Sequence, residues 1–183
     1  IQQHEVTVGA LVTWLATGPI AAGDTTALRA RLTPLVRTGA RLPATGVSWE
    51  VARAYCQSLG GRLPQEREWE WAARGPRLSR HPWGNEPIDV ARTAVFLGHG
   101  GAVRPVMTSD QDVTPGAPAR ALYDLLGNAR EWTDDLYSYN QLPPGGTNPL
   151  PPFAQPASQP GRTTRAVRGL PGGASPPRPS LTR

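Results

Sequence analysis

Apolar side chains return at helical spacing in several stretches of this chain. Val8, Leu11, Val12 and Leu15 lie on one face of a helix that Gly18-Pro19 would end. The residues just before, His4-Glu5-Val6-Thr7-Val8, alternate and read as a short strand. Residues 27–36 carry a weaker pattern, interrupted by Pro34. The strongest helix follows Ser48, a good N-cap, with Ala52, Tyr55, Cys56 and Leu59 on one face and Gly60-Gly61 as its stop. A further helix is predicted over residues 65–74. Pro64 suits its first turn, Glu66 and Glu68 suit the positive end of its dipole, and Trp69, Ala72 and Ala73 form its buried stripe.

Beyond residue 75 the periodicity fades. His81-Pro82-Trp83-Gly84-Asn85 reads as a rigid turn, and short strands are predicted over residues 93–96 and 104–108. Residues 141–160 contain seven prolines and almost no pattern, which predicts a loop or disordered insertion. Arg165-Ala166-Val167-Arg168-Gly169 is a candidate last strand, and residues 170–183 are again rich in Pro, Gly and Ser. No repeat of fixed period is present. The pattern predicts one α+β domain spanning residues 1–183, with two good helices, few strands and much irregular backbone.

Composition agrees with that texture. Gly (20) and Pro (21) are abundant among 183 residues, while six tryptophans supply bulk to a core otherwise poor in apolar side chains. No run of about 18 apolar residues exists to form a membrane-spanning helix. The net charge is +5 and every basic residue is arginine. The arginines are scattered and no nucleic-acid-reading motif accompanies them, so nucleic acid is not the expected partner. A single cysteine, Cys56, excludes an internal disulfide and any cysteine metal cluster.

Residues 122–132 read Leu-Tyr-Asp-Leu-Leu-Gly-Asn-Ala-Arg-Glu-Trp and concentrate the candidate chemistry. Asp124 and Glu131 flank a bend at Gly127-Asn128 that can bring both carboxylates and the intervening carbonyls to one point. Oxygen-only ligands of that kind suit a hard cation such as calcium. The alternative is that both carboxylates cap turns or pair with arginines such as Arg130. Asp134-Asp135 is read as a solvated turn, and Arg62 as an ion-pair partner of Glu66 or Glu70. Trp49, Trp69, Trp83 and Trp132 are read as core pillars.

Several segments together resemble the formylglycine-generating-enzyme-like family, also called the sulfatase-modifying-factor family. They are His4-Glu5-Val6-Thr7, Val47-Ser48-Trp49-Glu50, Ala54-Tyr55-Cys56, Gly61-Arg62-Leu63-Pro64 and Glu68-Trp69-Glu70 with Ala72-Ala73-Arg74-Gly75. Pro82-Trp83-Gly84-Asn85, Leu122-Tyr123-Asp124, Gly127-Asn128 and Glu131-Trp132-Thr133 complete the set. The resemblance implies that family's variant of the C-type lectin fold, with two helices on small twisted sheets. It also implies a calcium site made by the Asp124 and Glu131 side chains and the carbonyls of Gly127 and Ala129, with Leu126 a further candidate. The family's other calcium site has no evident counterpart.

The same resemblance shows what is missing. Catalytic members use two cysteines near the C-terminus to bind copper, and residues 167–183 contain none. Cys56 matches instead a cysteine of the first family helix, where it reads as a small core residue. The related sulfoxide synthases hold iron through histidines, and His4, His81 and His99 are too few and too scattered for that. Neither copper nor iron is expected, and the chain is expected not to be an enzyme. The expected function is a ligand-binding module, in its specific form the variable protein of a diversity-generating retroelement binding a protein or glycan surface. Adenine-directed mutagenesis of AAC codons can give Leu, Pro, Gly, Ala, Ser, Arg or Thr, and residues 170–183 contain only residues from that set. Leu170, Pro171, Ala174, Ser175, Arg178, Ser180 and Leu181 are the candidate contact positions. The alternatives are a diverged enzyme of the formylglycine-generating or sulfoxide-synthase type, and a sensor domain of a bacterial signalling or defence protein.

Overall fold

The computed structural model describes residues 1–17, 25–87, 103–109, 111–117, 119–136 and 165–169. Among the described residues, five α-helical segments precede one antiparallel strand pair: α1 (Val8–Thr17), α2 (Thr25–Leu32), α3 (Val36–Gly39), α4 (Trp49–Ser58), α5 (Glu66–Arg74), β1 (Glu131–Leu136) and β2 (Arg165–Arg168). The helical share exceeds the two good helices expected, but the α+β class stands.

Val8, Leu11 and Leu15 of α1 are buried at helical spacing and meet Leu28, Leu32, Val51 and Tyr55 in one apolar cluster. Trp14 meets Tyr55 edge to face with ring centroids 5.5 Å apart. The expected strand over residues 4–8 is an isolated bridge between Thr7 and Pro43. The bridge is made by the Val8 amide donating to the Leu42 carbonyl (2.8 Å) and the Ala44 amide to the Val6 carbonyl (2.8 Å), and it extends no further because α1 begins at Val8. Pro34 breaks residues 27–36 as expected, into α2, a 3-10 turn Thr33–Leu35 and α3.

Ser48 caps α4, its side chain accepting from the Val51 amide. Before α5, Gln65 is the N-cap of a full capping box closed by Glu68, so Pro64 stands outside the helix rather than in its first turn. The same box explains a second correction. Glu68 reaches back over the helix start, and Arg62 therefore pairs with Glu68 (2.7 Å) instead of Glu66 or Glu70. Those two acids face Arg168 of β2, at 2.8 and 3.4 Å.

β1 and β2 pair with Glu131 opposite Arg168, Trp132 opposite Val167 and Leu136 opposite Arg165, with an irregularity between the last two pairs. Asp134 and Asp135 thus belong to a strand rather than a solvated turn. Asp135 accepts the Glu66 amide at 2.6 Å, which anchors the start of α5 to β1. Thr133 is fully buried and donates to the Ala166 carbonyl at 3.0 Å. Indole bonds tie α4 to the sheet: Trp49 donates to the Thr133 carbonyl and Trp132 to the Val47 carbonyl, both at 2.9 Å. The predicted strand over residues 104–108 is a turn instead, with Met107 held at φ 62°. The strand expected over residues 93–96 and the loop over 141–160 lie outside the described residues.

Candidate functional site

The segment 122–131 is shaped by two left-handed residues, Asp124 (φ 59°) and Asn128 (φ 60°). Asp and Asn tolerate that region better than other side chains, so both positions can carry the bend. Asn128 is locked by the backbone of Arg104, accepting its amide at 2.9 Å and donating to its carbonyl at 3.2 Å. Residues 112–114 run antiparallel to 122–124 through a Val113–Tyr123 bridge. On the other side, the Tyr123 amide donates to the Gln3 carbonyl (2.8 Å), and the Gln3 side chain donates to the Ala121 carbonyl (3.1 Å). The N-terminal segment is therefore stitched directly to the motif.

Four carboxylates, three buried and one half-buried, belong to this frame. Asp112 is fully buried, and one of its oxygens accepts the amides of Leu126 (2.7 Å) and Gly127 (2.8 Å) while the other has no partner. Asp124 is 3% exposed and accepts the Met107 amide at 2.8 Å. Glu131 accepts the indole N–H of Trp69. Glu5 is 7% exposed and neither carboxylate oxygen has a hydrogen-bond partner. Burying a carboxylate unpaired is expensive, so its neutral form is favoured. Burial, reinforced by the charge of Asp124, pushes Glu5 up to about 9. Burial likewise raises Glu131 to about 7 and Asp112 to about 6, the latter against the pull of its two amide donors. Asp124 also moves up by burial, opposed by the Met107 amide and by His4.

The structure thus places Asp124, Gly127 and Ala129 in a buried loop that runs into half-buried Glu131 at the start of β1. Of the alternative, the turn-capping half is realised at Asp124, which accepts the Met107 amide, while among the described residues neither carboxylate pairs with an arginine. The structure adds Glu5 and Asp112, which no spacing in the sequence links to the motif. Asp112 stands 12 positions before Asp124 in a loop without periodicity, and Glu5 lies in a segment read as a strand. Among the described residues, no three His, Cys, Asp or Glu side chains stand close enough together to form a ready coordination group. The donor chemistry nonetheless fits a hard cation: oxygen atoms only, an excess of buried negative charge, and orphaned carboxylate oxygens on Glu5 and Asp112. Glu5, Ala129 and Glu131 also line an open groove of about 1970 Å³, which continues past the exposed side chains of Trp71 and Leu78.

Elsewhere, His81 and Trp83 stack with centroids 4.7 Å apart across a tight turn closed by His81 and Gly84, as the sequence predicts. Trp49 and Trp69 are buried pillars, whereas Trp71 is 63% exposed. Cys56 is partly buried against the first apolar cluster, and burial pushes its thiol up, away from reactivity. His99 and the candidate contact residues Leu170, Pro171, Ala174, Ser175, Arg178, Ser180 and Leu181 lie outside the described residues.

A family model for the sulfatase-modifying factor enzyme 1-like domain matches residues 1–180. The chain belongs to this family. The chain is also similar to proteins of different names. One is the serine/threonine-protein kinase Pkn1 of Chlamydia trachomatis, 36% identical over 118 residues, which are 64% of this chain and 18% of the kinase. Another is the inactive C-alpha-formylglycine-generating enzyme 2 of Bos taurus, 39% identical over 115 residues (56% of this chain, 36% of that protein). A third is the formylglycine-generating enzyme of Thermomonospora curvata, 40% identical over 105 residues (52% and 34%). The chain spans little more than a third of these relatives at most. No helix among the described residues is long and apolar enough to cross a membrane.

Proposed function

We propose that this chain is a non-catalytic ligand-binding module built on the C-type-lectin-like variant of the family fold. One observation carries the reading: Cys56 is the chain's sole cysteine and sits partly buried with its thiol pushed up. A two-thiolate copper site needs two accessible, readily ionised thiols, and this sequence offers neither. A relative named as inactive makes loss of catalysis within the family a natural reading. The specific form is a variable protein of a diversity-generating retroelement, with Leu170, Pro171, Ala174, Ser175, Arg178, Ser180 and Leu181 contacting a protein or glycan surface. Its support is compositional: every residue of 170–183 is of a type that mutated AAC codons can produce.

A second reading is a sensor domain within a bacterial signalling protein. Similarity to a kinase in which the matched stretch is only 18% of the protein favours it. In either reading calcium serves structure, held by the Asp124 and Glu131 side chains and the Gly127 and Ala129 carbonyls. Bound there, it would neutralise charge that the fold otherwise buries.

Elemental analysis of the purified protein tests the class. Calcium without copper or iron is expected, and stoichiometric copper or iron would return the chain to the enzymes. Affinity capture with the intact chain against a truncation after Gly169 tests the contact surface, with capture expected only for the former. Sequencing the neighbouring locus separates the two readings, since the retroelement form requires a reverse transcriptase and a template repeat nearby.

A further inference from the structure

We propose that Trp71 and Leu78 anchor a docking groove for an acidic polypeptide segment that carries aromatic or aliphatic side chains. This surface goes beyond the function proposed above, since it draws on none of the contact positions in residues 170–183. Trp71 and Leu78 are both large and apolar, yet each is 63% exposed. Both line the open groove of about 1970 Å³. Single exposed apolar residues are ordinary on a protein surface, whereas several lining one concavity are the usual make-up of a binding site. Leu78 is moreover held out under strain. Its φ of 50° lies in the left-handed region, which a bulky aliphatic residue seldom adopts. The loop after α5 enforces that conformation through Arg74, whose side chain donates to the Ser79 carbonyl at 2.9 Å and to the Leu78 carbonyl at 3.1 Å. The Leu78 amide donates to the Gly75 carbonyl (3.1 Å) and the Ser79 amide to the Arg74 carbonyl (3.0 Å). Strained residues persist only where their surroundings over-determine them, and they cluster at ligand contacts. A side chain fixed in this way loses little freedom when a partner binds.

Charge names the partner. Three acids of the groove are already committed: Glu68 to Arg62, Glu70 to Arg74 and Arg168, and Glu66 to Arg168. Arg67, Arg77, Arg120 and Arg130 line the same groove, are exposed, and have no carboxylate partner among the described residues. Arg67 is oriented by the Gln65 side chain at 2.8 Å and lies one helical turn before Trp71, on the same face of α5. Arg77 directly precedes Leu78 in the strained loop. An excess of unpaired guanidinium groups around apolar anchors is complementary to carboxylates spaced among apolar side chains. A nucleic-acid backbone fits less well, because Glu68, Glu70 and Glu86 line the groove too and oppose so dense a run of negative charge.

Selection of a random-peptide display library on the immobilised full chain tests the proposal, with the enriched peptides then measured by fluorescence polarisation. Peptides that combine Asp or Glu with Phe, Tyr or Leu should be enriched. Trp71→Ala should weaken them by about tenfold or more. Arg77→Glu should weaken them as well, and a peptide with Lys in place of its acids should recover binding to that variant. Leu78→Asn puts a residue that tolerates the left-handed backbone at this position, so binding should fall while the melting curve stays unchanged. Enrichment of basic or uncharged peptides, or none, would overturn the proposal. So would acidic peptides whose affinity is untouched by Trp71→Ala and Leu78→Asn. Single-stranded DNA or phosphatidylserine vesicles bound in preference to the peptides, with loss in Trp71→Ala, would reassign the groove to a polyanion. Self-association of the full chain in sedimentation, lost in Trp71→Ala, would reassign it to a second copy. Should these variants not fold, hydrogen exchange on the wild type with an enriched peptide decides. The amides of residues 67–79 should gain protection, and protection confined to other segments would refute the docking groove.

Discussion

The apolar cluster around α1 and the acidic basin under residues 122–131 are two interiors of one chain, held by different forces. In the first, Val8, Leu11, Leu15, Leu28 and Leu32 bury hydrocarbon against hydrocarbon. In the second, Trp69, Ala73 and Leu125 form a small apolar patch beside four carboxylates, two of which keep orphaned oxygens. Stability in the first region should follow volume and be indifferent to ions. In the second it should follow hydrogen-bond bookkeeping and respond to calcium.

The largest expected effect lies on the apolar side. Leu11 is almost fully buried, so Leu11→Ala should cost about 2–5 kcal/mol in urea unfolding. The loss should be equal with and without calcium. A calcium-dependent loss would mean that the two interiors are coupled rather than separate.

Asp112 is the matching lesion in the basin. Asp112→Ala strands the amides of Leu126 and Gly127 in a buried loop, at a cost of about 1–3 kcal/mol. Asp112→Asn retains an acceptor for both amides and removes the charge, so it should cost clearly less. Equal losses would show that charge, not hydrogen bonding, is what this residue contributes.

The same contrast explains what could be read in the sequence. Helices α1, α4 and α5 were legible because apolar period and caps are local signals: Val8-Leu11-Leu15, Ser48, and Trp69 with Ala73. Family motifs made Asp124, Gly127, Ala129 and Glu131 legible as a unit. Glu5 and Asp112 were not, since burial of a carboxylate is decided by contacts far along the chain. β1 was missed for a related reason. Asp134 and Asp135 look like turn residues, and only the partners of this strand, such as the Glu66 amide on Asp135, reveal why acids sit there. Arg104-Pro105-Val106 looked like a strand but feeds the Asp124 side chain through the Met107 amide, a pairing the sequence does not advertise.

A smaller effect is expected where the sheet meets the basin. Gly169 has φ 87°, and a Cβ there would meet the Leu125 and Ala129 carbonyls at 3.4 and 3.5 Å, which is ordinary contact. The penalty for Gly169→Ala is therefore one of backbone conformation, about 1–2 kcal/mol. Thermal melting should detect it. A neutral result would place the flexibility of this turn above its packing, and would loosen the link between β2 and the motif.

The smallest effect belongs to the surface and gives the pH comparison its sign. The Arg62 side chain, helped by the Gln65 amide, holds the Glu68 carboxyl down at about 2. A depressed carboxylate contributes stability that is complete above its ordinary value of 4.5 and is lost as pH falls through about 2. Arg62 is more than half exposed, so solvent and salt screen the pair and the contribution is smaller than that of Gly169. Urea unfolding of Glu68→Gln against the wild type should show a modest deficit at neutral pH that shrinks as pH falls from 4.5 towards 2. Arg62→Ala should reproduce only part of that deficit, because the bond from the Gln65 amide survives it and still holds the Glu68 carboxyl down. A deficit in Glu68→Gln that stays constant with pH would assign the residue to the helix cap only. The acid limb of stability would then belong to buried groups.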